Sequence, residues 1–259
     1  MTGFNRHVRT AFLAVGFAGI AATALAQDDD TRRFTVHYSV TPKIGEGAAF
    51  IAATKAHAAW HREQGDSWEW NVYSVEFGPT PGRLYIRSSG HTMAEIGRYQ
   101  SSDFARADAA HYQKTVLPHV ASIEAQIARP DAGISALTGD PESWQLYELV
   151  HLKLRNGKAA AWRSAIAEIH GVLQKNEWPH PYLFSWLESG GPSPLVTLVL
   201  PRADWSDFDV VANPRAVVAE ALGEDTASRL WQEWGDAVES SVTEIVRYRP
   251  ELSVTGAES

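Results

Sequence analysis

The segment Arg33-Phe34-Thr35-Val36-His37-Tyr38-Ser39-Val40 alternates apolar and polar residues with a period of two, which is typical of a β-strand. A related tripeptide, Val150-His151-Leu152, recurs near the middle of the chain. Two further pairs follow at nearly the same separation: Gly78-Pro79-Thr80-Pro81 with Gly191-Pro192-Ser193-Pro194, and Arg129-Pro130-Asp131 with Arg249-Pro250-Glu251. Three landmarks in one order indicate an internal duplication. We therefore predict two similar units, residues 27–137 and 138–259.

Each unit is predicted to have the element order β-α-β-β-α-β, the ferredoxin-like arrangement in which both helices cover one face of an antiparallel sheet. In the first unit an Ala-rich segment without Gly or Pro predicts a helix over 48–63, and strands are predicted at 33–40, 68–77, 83–87 and 120–128. Thr92 and Glu95 have the spacing of a capping box and predict a second helical region to about residue 117, broken near Ser101 and Ser102. In the second unit we expect strands at 145–154, 181–188, 195–200 and 242–248, and helices at 159–175 and within 204–238.

Strands that are apolar on both faces indicate how the two sheets meet. The segment Leu195-Val196-Thr197-Leu198-Val199-Leu200 is almost continuously apolar, whereas a sheet with one solvated face alternates. In the first unit Trp68, Trp70 and Val72 occupy one face of a strand whose other face carries Tyr73, Val75 and Phe77. Both faces must be covered. We therefore expect an α+β fold in which two antiparallel sheets pack face to face, with the helices outside.

This arrangement resembles the dimeric α+β barrel superfamily, which includes the antibiotic-biosynthesis monooxygenase-like, NIPSNAP-like and chlorite-dismutase-like families. The resemblance covers nearly all of the chain after residue 26 and depends on element order and duplication. The stretch Tyr99-Gln100-Ser101-Ser102-Asp103-Phe104 is similar to the segment where small monooxygenase-like domains often carry a Ser-Asp-x-Phe-type break. The resemblance implies a pseudo-dimer within one chain and leaves further oligomerisation open. It transfers no catalytic residue, because one fold supports many functions.

Composition and motifs exclude several classes of protein. The 259 residues contain no Cys, so disulfides, thiolate metal sites and Cys nucleophiles are ruled out. The formal net charge of −8 and the absence of a Lys/Arg cluster argue against a nucleic-acid partner. There is no G-x-S-x-G, Walker or G-x-G-x-x-G motif, so serine hydrolase, nucleotide triphosphatase and dehydrogenase functions lack support.

The N-terminal 26 residues have the pattern of a secretory signal peptide. Arg6 and Arg9 precede an apolar run over 11–25, and Ala24-Leu25-Ala26 forms an A-x-A cleavage site. The run is about 15 residues long, shorter than the roughly 20 that span a bilayer. We expect an exported protein, periplasmic or secreted, without a membrane span.

His57 and His61 are the candidate catalytic residues, as an acid–base pair or a proton relay. Four residues apart on a helix, their imidazoles would leave the same face and could share a metal. The Glu of the H-E-x-x-H zinc motif is absent, and a third ligand such as His111 or Glu124 would have to come from the fold. We therefore assign no metal site from the sequence; the alternative is that both residues border an Ala-rich packing face.

His37 and His151 form a second candidate pair, for ligand binding. Each lies on the first strand of its unit, on the face opposite Val36 and Val150. If the helices cover the valine face, both imidazoles point between the sheets. There they could flank a ligand, or they could be a hydrogen-bonded structural pair.

The tryptophans suggest a cavity between a sheet and its helices. Core packing explains most of them, but Trp rings also make good walls for a flat apolar ligand. The residues predicted to line such a cavity are Trp60, Trp70 and Tyr73 in the first unit and Trp162, Trp186 and Trp231 in the second.

Three functions remain open from the sequence. The first is a monooxygenase-like oxidoreductase that acts on an aromatic or quinone-like molecule. The second is non-catalytic binding of a small apolar or aromatic molecule. The third, implied by the resemblance to chlorite dismutase, is haem binding with an axial residue such as His170. No cofactor is indicated by a motif.

Overall fold

A computed structural model of the chain describes residues 33–210 and 213–255. The first unit comprises β1 (Phe34–Pro42), α1 (Gly47–Glu63), β2 (Asn71–Phe77), β3 (Leu84–His91), α2 (Met93–Gln100), α3 (Asp103–Thr115) and β4 (Val120–Pro130). The second comprises β5 (Leu146–Leu154), α4 (Ala159–Lys175), β6 (Leu183–Ser189), β7 (Leu195–Arg202), α5 (Pro214–Leu222), α6 (Glu224–Ala237) and β8 (Val238–Tyr248). The predicted signal peptide lies outside the described residues. Among the helices that are described, none is both long enough and apolar enough to cross a bilayer.

The eight strands form one closed antiparallel barrel in the order β1-β3-β2-β8-β5-β7-β6-β4. The predicted α+β fold of two ferredoxin-like sheets is therefore confirmed. The sheets face each other across the interior and also join at two seams, where β2 pairs with β8 and β4 pairs with β6. At the second seam Gly190 has φ 93°, and a Cβ there would collide with the carbonyl oxygen of Ala125. Glycine therefore permits this close approach.

The barrel interior is a core to which both sheets contribute. Tyr73 and Val75 of β2 pack with Leu149 of β5, Val199 of β7 and Val246 of β8. All five side chains are buried. Residues at the alternate positions of these strands, such as Val72 on β2 and Val196 on β7, face the helices instead. The strands are therefore apolar on both faces, as the sequence predicts.

Local signals place the helices of the first unit. Thr92 and Glu95 form the predicted capping box at the start of α2, with the backbone N–H of Thr92 donating to Glu95 Oε2 at 2.7 Å. The hydroxyl of Ser102 accepts from the backbone N–H of Ala105 at 3.1 Å and caps α3. The predicted break at Ser101 and Ser102 therefore separates α2 from α3 and turns the chain so that α3 can lie beside α1.

Several element boundaries differ from the sequence prediction, and two of them have a clear physical reason. β8 begins at Val238, before the expected start at 242, because Val238, Ser240 and Ser241 pair through their backbone with β5, although the side chains of Ser240 and Ser241 are exposed. Trp68 and Trp70 precede β2 rather than lie within it, and Trp70 pairs with Val254 as an isolated bridge. The starts of β8 and β2 are both set by backbone pairing, which cannot be predicted from the periodicity of the side chains.

The two helical layers pack differently on their sheets. In the second unit Trp162 is fully buried under the helices, with its ring in edge contact with Phe184, Trp186 and Trp234. In the first unit the space between the sheet and helices α1 to α3 contains a cavity. The candidate site lies there.

Candidate functional site

The cavity between the first sheet and its helices has a volume of about 690 Å³. Its walls are mainly apolar and aromatic; they include Val36, Val72, Ile86, Trp68, Trp70 and Tyr99. Volume and lining are typical of sites for small molecules. A ligand held here would be mostly apolar.

Three polar side chains converge on one part of the cavity wall. His57 and His61 lie one turn apart on α1, and Asp108 faces them from α3. The Nε2 atoms of His57 and His61 are 3.2 Å apart, and each lies 3.0 Å from Oδ1 of Asp108. We call His57, His61 and Asp108 the histidine–carboxylate cluster. The structure thus brings together the two predicted catalytic histidines and adds a carboxylate.

Asp66, just beyond the C-terminus of α1, anchors this cluster from behind. Its Oδ2 atom lies 2.7 Å from Nδ1 of His61 and accepts hydrogen bonds from the Trp70 indole at 2.9 Å and the Tyr99 hydroxyl at 3.0 Å. Its Oδ1 atom accepts from the backbone N–H of Trp68 at 3.0 Å. Because Asp66 is occupied by these donors, Nδ1 of His61 must donate to it. The Nε2 atom of His61 is left to face the cavity.

His57 is fixed in a similar way from α3. Its Nδ1 atom lies 2.8 Å from Nδ1 of His111. The Trp60 ring is nearly parallel to both imidazoles, with centroid distances of 5.9 Å to His57 and 4.7 Å to His111. Both histidines of the cluster therefore have their Nδ1 atoms engaged and their Nε2 atoms directed at Asp108.

The contacts within the cluster shift the pKa values of His61 and Asp108. Burial lowers the pKa of His61, but hydrogen bonds to Asp108 and Asp66 outweigh burial and raise that pKa to about 9. Burial raises the pKa of Asp108, but hydrogen bonds from His57 and His61 outweigh burial and hold that pKa well below its usual range. Burial and the charge of Asp108 raise the pKa of Tyr112 to about 12. The Tyr112 hydroxyl is buried and has no hydrogen-bond partner among the described residues.

The two proposed third ligands lie elsewhere. His111 contacts His57 through Nδ1 and supports the cluster from behind rather than joining it. Glu124 lies on β4, where it forms an ion pair with Arg83 at 3.7 Å. Asp108 occupies the third position instead.

His37 and His151 point into the barrel interior, on the opposite side of the sheets from the cavity. His37 packs edge-on against Tyr85 at 5.0 Å between ring centroids. His151 lies 3.0 Å from the Thr197 hydroxyl and 3.4 Å from Glu244. The sequence places their side chains between the sheets, as found, but they do not line the cavity at α1.

The predicted aromatic lining is divided among three places. Trp70 lines the cavity. Trp60 stacks on the far side of His57, and Tyr73 lies in the barrel interior, edge-on to Tyr147. Neither of these two is among the lining residues of this cavity. Side-chain direction along α1 and β2 accounts for both.

The second-unit candidates are engaged in packing or pairing. Trp162 is fully buried, Trp186 donates to Asp131 at 3.0 Å, and Trp231 lies under the Arg215 guanidinium at 4.7 Å. None of the three lines the cavity of the first unit. His170, the residue considered for haem ligation, has Nδ1 2.8 Å from the Tyr182 hydroxyl.

Sequence reasoning missed Asp66, Asp108 and Tyr99. Asp108 and His111 are three residues apart on α3, so they share a helix face, and that face could have been paired with His57 and His61. Asp66 carries no periodic signal, because it lies in the short connection between α1 and β2. Its role emerges only from the four donors that surround it.

Comparison with known proteins supports the fold. No protein-family model and no curated protein matches the sequence. A monooxygenase candidate from Lactobacillus acidophilus NCFM superposes with a TM-score of 0.53 at 9% identity, covering 88% of this chain and 98% of that one. An anthrone oxidase-like protein gives 0.51 at 11% identity, covering 89% and 98%. Chlorite dismutase from Candidatus Nitrospira defluvii gives 0.51 at 8% identity, covering 86% and 93%.

The class defined by this architecture is the dimeric α+β barrel, here formed within a single chain. At such low identities the likeness establishes the fold alone.

Proposed function

We propose that this protein binds a small, flat and largely apolar molecule in the first-unit cavity and oxidises it, as a monooxygenase-like oxidoreductase with dioxygen as oxidant. The observation that carries the proposal is the position of the histidine–carboxylate cluster on the wall of an otherwise apolar cavity of about 690 Å³. An apolar ligand that fills the cavity would place one polar atom, such as a phenol oxygen, at this cluster.

The aromatic side chains that line the cavity favour an aromatic ligand. Trp68 and Trp70 are almost completely buried and line the cavity, and the Tyr99 ring stacks on Trp68 at a centroid distance of 4.0 Å. Rings held in this way form a rigid apolar wall that suits another flat molecule. Asp66 fixes two of them, Trp70 and Tyr99, by hydrogen bonds.

The choice of an oxidoreductase follows the proteins that share the fold. Two of the structures named above are a monooxygenase candidate and an anthrone oxidase-like protein. The N-terminal pattern of residues 1–26 extends the proposal to export, so we infer that the reaction takes place outside the cytoplasm.

Ligand binding can be tested with 1-naphthol and menadione as probes, through quenching of Trp fluorescence. We expect saturable quenching, because Trp68 and Trp70 line the cavity. Ala105→Phe should weaken it at least tenfold, because Ala105 lines the cavity and a phenyl ring there would occupy the space. Ala107→Phe is the matched control on the same helix, since Ala107 is exposed.

Turnover can be followed by mass spectrometry of 1-naphthol incubated with the protein in air. An oxidised product, lost in Ala105→Phe and kept in Ala107→Phe, is the expected result. Saturable binding without product would support the non-catalytic alternative and contradict the oxidoreductase. Absence of quenching by both probes would contradict the binding proposal as well.

A further inference from the structure

We propose that the histidine–carboxylate cluster binds one divalent transition-metal ion, with Nε2 of His57, Nε2 of His61 and Oδ1 of Asp108 as ligands. The ion would lie at the cavity wall, next to the bound molecule. A catalytic role for this ion rests on the proposed function. The metal-binding site itself rests on the positions of the donor atoms alone.

The three donor atoms have the spacing expected of ligands that share one metal ion. Their separations are 3.0, 3.0 and 3.2 Å. Ligands at about 2.1 Å from a metal and at right angles to one another lie about 3.0 Å apart, whereas tetrahedral ligands lie about 3.4 Å apart. The three atoms therefore already form one triangular face of a six-coordinate site.

Each histidine of the cluster is also held in place through its second ring nitrogen. Metal-bound histidines usually engage their second ring nitrogen with a carboxylate or another fixed group, which orients the ring. Here Nδ1 of His61 lies 2.7 Å from Asp66, and Nδ1 of His57 lies 2.8 Å from His111. Both Nε2 atoms are thus presented to one point, beside an oxygen of Asp108.

The three donor atoms are accessible from the cavity. All three proposed ligands belong to its lining, so the remaining coordination positions would open onto the space where a ligand lies. The buried Tyr112 hydroxyl, which has no partner among the described residues, lines the same space. Two histidines and one carboxylate with open positions are the donor set of non-haem Fe²⁺ sites, and Zn²⁺ accepts the same atoms.

The second unit supplies an internal comparison. Helices α1 and α4 have the same length, and aligning their first residues places Ile169 opposite His57 and Leu173 opposite His61. Ile169 and Leu173 are buried in the apolar core. The donor atoms are therefore specific to the unit that contains the cavity.

Metal binding can be measured on untagged protein treated with chelator and then titrated with Co²⁺ or Zn²⁺. We expect one equivalent of Co²⁺ to give visible absorption bands of a six- or five-coordinate ion, and Zn²⁺ to compete with it. Fe²⁺, added in large excess and without oxygen, should also displace Co²⁺. Asp108→Asn should weaken Co²⁺ binding at least 100-fold, and His57→Gln should do the same.

The matched control is Asp103→Asn, the same substitution on the same helix at an exposed position. It should bind Co²⁺ as the unmodified chain does. Circular dichroism of each variant verifies folding, and His57→Gln provides a second ligand variant if Asp108→Asn does not fold. No saturable Co²⁺ binding, or equal affinity in Asp108→Asn, His57→Gln and Asp103→Asn, would overturn the metal site.

The two proposals can fail separately. Quenching by 1-naphthol is measured on the chelator-treated protein, so it reports on the cavity without metal. If the probe quenches and Co²⁺ does not bind, the metal inference fails and the cavity function stands. If Co²⁺ binds and neither probe quenches, the metal site stands and the proposed function fails.

Discussion

Nδ1 of His61 lies 2.7 Å from Oδ2 of Asp66, a carboxylate that also holds Trp70 and Tyr99. One buried side chain therefore positions both the polar end of the cavity and part of its aromatic wall. Asp66 is 3% exposed, so this network is almost completely shielded from water. Polar networks buried to this degree are costly to break in part.

Asp66→Ala should accordingly destabilise the fold. It removes a buried acceptor from three side-chain donors and one backbone N–H, which we expect to lower the free energy of unfolding by about 3 to 5 kcal/mol. Urea unfolding followed by circular dichroism measures the change. Asp236→Ala, at an exposed position, is the control and should stay within about 0.5 kcal/mol. Equal losses in the two variants would contradict the anchoring role of Asp66.

Stability should depend on the protonation of His37 below neutral pH. Burial and the nearby Arg87 lower the pKa of His37 to about 3. Between pH 6.5 and 3 the unfolded chain therefore binds a proton that the folded chain does not, so the stability contributed by neutral His37 is complete above 6.5 and is lost as the pH falls. From pH 7 to 5 this one group should remove up to roughly 2 kcal/mol.

The comparison that isolates this effect uses His37→Gln. Urea unfolding of both proteins at pH 7, 6 and 5 should show the smaller pH dependence in the variant. Parallel stability curves for the unmodified chain and His37→Gln would show that His37 is not held neutral.

A matched pair of substitutions should distinguish the hollow first unit from the packed second one. Val72 lines the cavity, whereas Val196 is fully buried in the core under α4 to α6. Val72→Phe should be neutral or stabilise by up to about 1 kcal/mol, because the ring fills existing space. Val196→Phe should cost about 1 to 3 kcal/mol through overpacking.

Thermal and urea unfolding of the two Phe variants provide the measurement. Val72→Phe should also abolish quenching by 1-naphthol, since the ring occupies the binding space. The expectation is refuted by similar losses in both variants.

A link between the two units should be visible in Tyr85→Phe. The Tyr85 hydroxyl on β3 donates to Oε2 of Glu244 on β8 at 2.5 Å in the barrel interior. Removing it leaves a buried carboxylate oxygen short of a donor, at a cost of about 1 to 3 kcal/mol. Tyr112→Phe is the control: its buried hydroxyl has no partner among the described residues, so removing it breaks no hydrogen bond and should not lower stability. Urea unfolding at pH 7 compares the two, and a larger loss in Tyr112→Phe would contradict this account.

Much of the fold could be predicted from the sequence, because the local signals for strands and helix caps agree with the tertiary structure that these elements form. The alternation at residues 33–40, the capping box at Thr92 and the apolar run 195–200 each predict an element that the structure contains. The extra length of β8 could not be predicted from the sequence, since Ser240 and Ser241 are exposed and only their backbone pairs with β5. Pairing of this kind depends on the partner strand.

The candidate site was only half visible. The i, i+4 spacing of His57 and His61 predicts their shared face correctly, because it lies within one helix. Asp108 comes from another helix, and Asp66 from a connection without periodicity, so neither distance to His61 is encoded locally. Most of the predicted Trp residues do not line the cavity, because aromatic residues pack in the core of the second unit as well as around the cavity of the first.

At the seams of β2 with β8 and of β4 with β6, each half of the molecule covers the strand edges of the other half. If the polypeptide were cleaved in the connection between residues 137 and 145, each fragment would expose two unpaired outer strands, which favour self-association. Co-expressed fragments should instead recombine into one particle with the native spectrum. The two fragments could therefore serve as the halves of a split reporter, in which the native spectrum reports that the fragments have associated.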